Sequence, residues 1–235
     1  MKRPSIHPSK LGIHAGAQPC GPDWSRGSRQ CWQGTFASGK ALGPSPFRSF
    51  LERDCQTLLE ANPAITAYSV EPHVLKYSAP NAAGDFEART YVPDFGLITA
   101  DGQILIVDAK AEALRQMAGW TRREPHIREA YAIQHGVRFL VLTEAAIRKR
   151  PRLANCEEML AHREPGTDLA ALTTIRDVLA TVEQSSTIGA LTAAASLVSP
   201  PGQDRAFTAI MRLALRGEIK LDLSRPFSPT TSVRR

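Results

Sequence analysis

At 235 residues, with 43% hydrophobic and 22% charged side chains, the chain is long enough for one well-packed core and a smaller second one. No apolar run approaches the roughly 18 residues that span a membrane, and the N-terminus lacks the apolar stretch of a secretory signal, so the expected location is the cytoplasm. The net charge of +6 is concentrated: residues 1–48 hold seven Lys or Arg against one acid, Asp23, and the rest of the chain is balanced. A basic arm on a near-neutral body suits a segment that tracks phosphates, and equally a solubilising tail. The four cysteines, Cys20, Cys31, Cys55 and Cys156, show no close pairing and read as free thiols. His7, His14, Cys20 and Cys31 are of zinc-ligating type, but their gaps fit no usual finger or ribbon spacing.

Residues 1–45 are rich in Gly, Pro, Ser and basic side chains without a hydrophobic period, which predicts an extended or poorly ordered arm. Phe47, Phe50, Leu51, Cys55, Leu58 and Leu59 fall at helical spacing, with Ser45 as cap, Pro46 in the first helical position and Asn62-Pro63 as the stop. Strands are predicted over 65–70 and 73–77, broken at Glu71-Pro72, and a Gly/Asn turn at 80–85 leads into a strand over 86–92. Asp94 to Thr99, then Asp101-Gly102, then the continuous apolar run Ile104 to Val107 read as a hairpin whose second strand is buried on both faces. A helix is predicted over 123–134, ending before Gly136, followed by a buried strand over 137–142 and a short helix capped by Thr143. Farther on, Asp168 caps a helix to about Val182, and 187–198 and 203–216 are alanine- and leucine-rich helical patterns. Residues 218–223 alternate like a strand. The expected architecture is α/β: a mixed sheet flanked by helices over 46–166, and a small helical, winged-helix-like domain over 167–235.

Metal-assisted phosphodiester hydrolysis needs two or more carboxylates to hold Mg²⁺ and a nearby cation to offset developing charge. The hairpin offers that set. Asp94 opens one strand and Asp108 lies near the end of its partner; a two-residue turn at 101–102 would set residue 95 opposite 108. The two-residue period puts Asp108 and Lys110 on one face with Ala109 pointing away. Charges placed straight after four buried aliphatics are costly unless partnered or bound to metal. A strand leaving the core into a plain Asp108–Lys110 ion pair fits the same spacing, because an acid, a 13-residue spacer and Asp-x-Lys is a loose pattern.

Pro93-Asp94 followed by Asp108-Ala109-Lys110 resembles the PD-(D/E)xK motif of restriction-type nucleases, and the order of elements resembles that fold. More closely, the chain is similar to the TnsA family, the endonuclease subunit of heteromeric cut-and-paste transposases. The resemblance runs through Gly34–Lys40, Ser49–Asp54, Tyr91–Phe95, Val107–Lys110 and Phe139–Glu144, with Ile147-Arg148 and Leu153–Asn155 behind, and so covers roughly residues 34–163. It implies that Glu52, Asp94 and Asp108 hold Mg²⁺ (with Mn²⁺ as a substitute) and that Lys110 is the catalytic lysine. It implies cleavage of double-stranded DNA at the 5′ ends of a transposon. The implied partners are a DDE transposase that cuts the 3′ ends and an AAA+ ATPase regulator, one of which would be contacted by residues 213–223 and the tail to Arg235. One departure is Glu71-Pro72, where the family pattern has Gln-Pro; the arm before residue 34 has no counterpart.

Other readings remain open from the residues alone. A restriction or repair nuclease on the same fold would use the same four side chains; a silent DNA-binding assembly module is the third reading, and the presence of all four argues against it, since such a module has no need of the full set. Arg148, Lys149, Arg150 and Arg152 form a short basic run able to grip phosphates, although such runs are usually solvated faces. No nucleophile elbow, phosphate-binding loop or dinucleotide fingerprint is present.

Overall fold

The structure, a computed structural model, describes residues 6–21, 32–81, 83–163, 168–182 and 185–235. It is mixed α/β, with several small sheets and eight α-helices among the described residues. The chain forms two compact units, one of residues 1–56 and 64–147, the other of residues 57–63 and 148–235.

The first unit is built on a four-stranded sheet. Its strands are β3 (Ile65–Val70), β6 (Phe95–Thr99), β7 (Ile104–Ala109) and β8 (Arg138–Leu142), side by side in that order. Between them and ahead of them come β1 (Gly34–Thr35) paired with β2 (Pro46–Phe47), α1 (Phe50–Ala61), and a separate hairpin of β4 (Leu75–Pro80) and β5 (Phe86–Tyr91). β3, β6 and β7 are antiparallel neighbours; β8 lies parallel to β7. A parallel neighbour needs a crossover. Here it is supplied by α2 (Glu112–Arg115), α3 (Ala118–Ala130) and a π-helical turn over Tyr131–His135 that Gly136 closes at φ +67°. The short α4 (Glu144–Ile147) follows β8. The apolar run at 104–107 is buried as expected, Ile106 and Val107 being nearly inaccessible.

The helix over 46–62 starts later than its spacing predicts. Ser45 does not cap it: its hydroxyl donates to the side-chain carbonyl of Gln56, and Pro46 belongs to β2. Ser49 takes the capping position instead, its Oγ accepting the Glu52 N–H at 3.1 Å. The poorly ordered arm is also corrected over its described part. Leu11 and Ile13 are fully buried and join the core that contains Leu75, Ile106 and Phe139. A short 3₁₀ turn over Pro8–Leu11, ended by Gly12 at φ +66°, delivers them. Two isolated anchors have no period to detect. They matter nonetheless: Ile13 occupies the space over Gly96, where any Cβ would come within 2.7 Å of its Cδ1.

The second unit is helical with a small sheet. Its helices are α5 (Arg152–Ala161), α6 (Leu169–Thr181), α7 (Ile188–Ala195) and α8 (Arg205–Leu215). Side chains of Asp168, Thr187 and Asp204 cap the last three by accepting N–H bonds in their first turns. The strands β9 (Ser185–Thr187), β10 (Lys220–Leu221) and β11 (Ser232–Arg234) form an antiparallel sheet with β11 in the middle. The core is almost wholly aliphatic, with Ile175, Leu191, Ile210 and Leu213 at its centre. Met159 of α5 packs there too, which ties 152–161 to this unit, whereas the change in sequence texture set the division at 166/167. That position itself lies outside the described residues.

Candidate active site

The hairpin of β6 and β7 brings the two acids together. Phe95 pairs with Val107 and Ile98 with Ile104, one residue out of step with the expected register. The cause is the turn. Thr99 N–H reaches Gln103 O, Gly102 N–H reaches Thr99 O, and Gly102 has φ +76°, so the loop has three residues rather than two. The shift sets Asp94 in line with Asp108 instead of diagonal to it. The backbone N–H of Asp94 donates to Asp108 Oδ1 at 3.2 Å, and the N–H of Ala109 donates to Asp94 Oδ2 at 2.8 Å. Each carboxylate is therefore fixed by the other strand.

Asp108 has no accessible surface. Its Oδ2 accepts the hydroxyl of Tyr91, which the last residue of β5 brings across from the separate hairpin. Lys110 lies on the same face, as the strand period requires, with Nζ 3.5 Å from Asp108 Oδ2. The ammonium also sits 4.3 Å from the centre of the Trp120 ring on α3, a cation–π contact that holds it beside the acid. Trp120 is anchored in turn by its indole N–H to Glu124. Neither Tyr91 nor Trp120 was among the site residues expected from the sequence, Tyr91 entering only as the first residue of the Tyr91–Phe95 stretch of the resemblance. For Tyr91 a signal existed, an aromatic with a polar tip three residues before the acid; Trp120 lies on a helix whose apolar pattern is weak.

Glu52 stands apart from this pair in its contacts. Its Oε1 accepts the Ser49 hydroxyl at 2.9 Å and its Oε2 the Arg48 N–H at 2.7 Å, so both oxygens help close the helix N-terminus. Arg48 links it to Glu71, whose carboxylate takes a two-pronged ion pair from the guanidinium at 2.7 and 2.9 Å. Glu71 has φ +45°, a left-handed conformation unusual for glutamate, stabilised by its N–H bond to Asp94 O and by Cys20 N–H to its own carbonyl. The departure noted at Glu71-Pro72 is thus tied by backbone to Asp94. Arg48 was not singled out from the sequence.

Charge is the unsettled feature of this region. Burial, then repulsion from Asp108 and from Glu52, pushes the Asp94 carboxyl well above the usual carboxylate range. Burial raises Asp108 as well, although Lys110 and the Tyr91 hydroxyl pull it partway back. Glu52 is raised by burial against the opposing pull of its Arg48 and Ser49 bonds. Asp94 and Asp108, disfavoured as anions beside one lysine, form a site that a cation would relieve, and Glu52 adds to the repulsion at Asp94.

No protein-family model matches the chain, and no curated protein matches it.

The reading of the site therefore rests on its geometry. Among the described residues no group of three or more His, Cys, Asp or Glu side chains is arranged to hold a metal ion. The zinc possibility finds no such group among His7, His14 and Cys20, and Cys31 lies outside the described residues. Mg²⁺ asks for less: one or two carboxylates, with water and phosphate oxygens completing its octahedron. The all-oxygen pair Asp94 and Asp108 is a donor set of that kind. The basic residues Arg148, Lys149 and Arg150 are exposed and belong to the second unit.

Proposed function

We propose that the first unit is a Mg²⁺-dependent DNA endonuclease of the PD-(D/E)xK type. The observation that carries this is the pairing of Asp94 with Asp108 at the ends of two bonded strands, with the Lys110 ammonium 3.5 Å from the buried acid. Asp94 and Asp108 would hold the metal, which supplies Lewis-acid polarisation of the phosphate when bound. Tyr91 keeps the Asp108 carboxylate turned by its hydroxyl bond. Lys110, steadied by Trp120, presents its ammonium to the charge that builds on the phosphate oxygens. Water adds to phosphorus, the P–O3′ bond breaks, and the strand ends become a 5′-phosphate and a 3′-hydroxyl. Glu52, whose charge is felt at Asp94, closes the helix N-terminus beside them and would add to the field that attracts the cation.

The helix, three antiparallel strands, crossover helices and parallel strand of this unit support the restriction-nuclease likeness. In the second unit α5 is followed by the order helix, strand, two helices, two strands, which supports the winged-helix likeness. The finer assignment, cleavage at the 5′ ends of a transposon alongside a DDE transposase and an AAA+ regulator, is supported by the sequence resemblance over residues 34–163. The site has a second reading, in which Asp108 and Lys110 are a structural ion pair; the lack of a three-ligand group among the described residues favours it. Nicking of labelled duplex DNA in Mg²⁺ or Mn²⁺, with and without a co-expressed transposase, separates the two. Metal-dependent ends bearing 5′-phosphate, lost in Lys110→Ala, are expected. No cleavage under any of these conditions would leave the structural ion pair.

A further inference from the structure

Glu71 holds a backbone conformation that its own side chain makes costly. Its φ of +45° is one of two positive values outside glycine among the described residues. Glycine adopts that region freely, and a strained residue in its place points to a use for the side chain. The Glu71 carboxylate is buried and takes the Arg48 guanidinium at 2.7 and 2.9 Å. The N-terminal arm closes over this pair. A Cβ at Gly21 would lie 2.1 Å from Glu71 Oε2 and 2.6 Å from the Arg48 guanidinium, a space that only glycine leaves open. The arm grips the neighbouring backbone as well: Cys20 N–H donates to Glu71 O, and the His73 ring bonds Leu11 O at 3.0 Å.

We propose that Glu71 is a positioning residue of the candidate metal site, tying Glu52 to Asp94 through Arg48, with Gly21 closing the arm over the tie. Two connections leave Glu71 and each ends on an acid of the site. Its N–H donates to Asp94 O at 2.9 Å. Its carboxylate holds Arg48, whose own N–H donates to Glu52 Oε2 at 2.7 Å. Residues that orient the acids of a metal site are worth metal affinity although they touch no metal. The backbone branch to Asp94 survives any substitution that keeps the N–H, so the carboxylate's own contribution is the branch through Arg48 to Glu52. A purely structural role would be served better by glycine, which relieves the φ and keeps both backbone bonds. The inference rests on the nuclease reading for the cation.

Metal affinity can be measured apart from cutting. The full chain is melted across a titration of Mn²⁺ alone, with Asp108→Asn as the baseline. Glu71→Gly should need about tenfold more Mn²⁺ than the wild type for the same rise in melting temperature. Without metal it should melt close to the wild type, the released strain offsetting the lost ion pair. Glu71→Gln, which keeps an oxygen for Arg48, should stay close to the wild type in Mn²⁺ dependence. Gly21→Ala displaces the carboxylate without removing a polar group; it should match Glu71→Gly, and it reads the same link independently of the Glu71 backbone. Wild-type Mn²⁺ dependence in Glu71→Gly or in Gly21→Ala, or an equal loss in Glu71→Gln, would overturn the positioning role and leave the nuclease reading standing. A wild type no more responsive than Asp108→Asn would overturn both.

Discussion

The buried acids at the candidate site of the first unit and the paired surface acids of the second are held in opposite ways. In the second, Asp168 and Glu218 lie at the surface, each gripped by an arginine, and both are held below the usual carboxylate range by those bonds. Its main core packs Ile, Leu, Ala, Met and Val without an acid, although the unit also buries Glu60 and the thiol of Cys156. In the first, Asp108 has no exposure, Asp94 and Glu52 are desolvated, and burial raises all three. The surface acids of the second unit are settled by a local partner; the site of the first keeps an arrangement that folding alone would not select. Proteins retain such arrangements where they work.

The sharpest way to break this contrast is to remove an acid from each side. Asp94→Ala or Asp108→Ala should lower metal-dependent nicking by about 10³-fold or more while leaving DNA binding in place, since several kcal/mol of charge stabilisation are lost at the reacting phosphate. Asp168→Ala should leave nicking unchanged. Next in size is Ile210→Ala in the second core, expected to cost about 2–5 kcal/mol of stability by denaturant unfolding, without loss of nicking per folded molecule. Trp120→Ala should then reduce nicking about tenfold, by freeing the Lys110 ammonium; Trp120→Phe should restore most of it.

The smallest effects are those of pH, and they run in opposite senses. The Asp168 carboxyl is held at about 2, chiefly by Arg205 and then by the Ala171 N–H, so its stabilising contribution is present above about 4 and disappears as pH falls toward 2. Asp94 is raised, so the folded state takes up its proton first and stability falls as pH climbs from the unfolded value near 4 through the folded one. Asp94→Asn should remove that fall and raise the melting temperature at pH 7 by about 2–4 °C in metal-free buffer. Unfolding followed between pH 3 and 8 checks both signs.

Much of the first unit was legible because its signals are local. The apolar run Ile104–Val107, the Asp101-Gly102 turn and the two-residue period named β7, the hairpin and the shared face of Asp108 and Lys110. The register slipped by one because a turn's length depends on which residue adopts positive φ, and Asp101-Gly102 serves a two-residue or a three-residue loop. Tyr91, Arg48 and Trp120 reach the site from other elements, and no spacing along the chain encodes such meetings. The same holds for Leu11 and Ile13, buried from a segment that reads as an arm. In the second unit the cap at Asp168 was readable, whereas Thr187 and Asp204 were not singled out as caps, and β9 and β11 are three residues each, too short for a period to show.

The claim that the buried carboxylates of the first unit await a divalent cation is tested most directly by thermal unfolding of the wild type and of Asp108→Asn across a titration of Mn²⁺. A ligand that binds only the folded state stabilises it in proportion to the logarithm of its concentration once above Kd. The wild type should rise steadily in melting temperature with Mn²⁺, and Asp108→Asn, stable without metal, should not respond. Equal responses in the two proteins, or none in either, would contradict the claim.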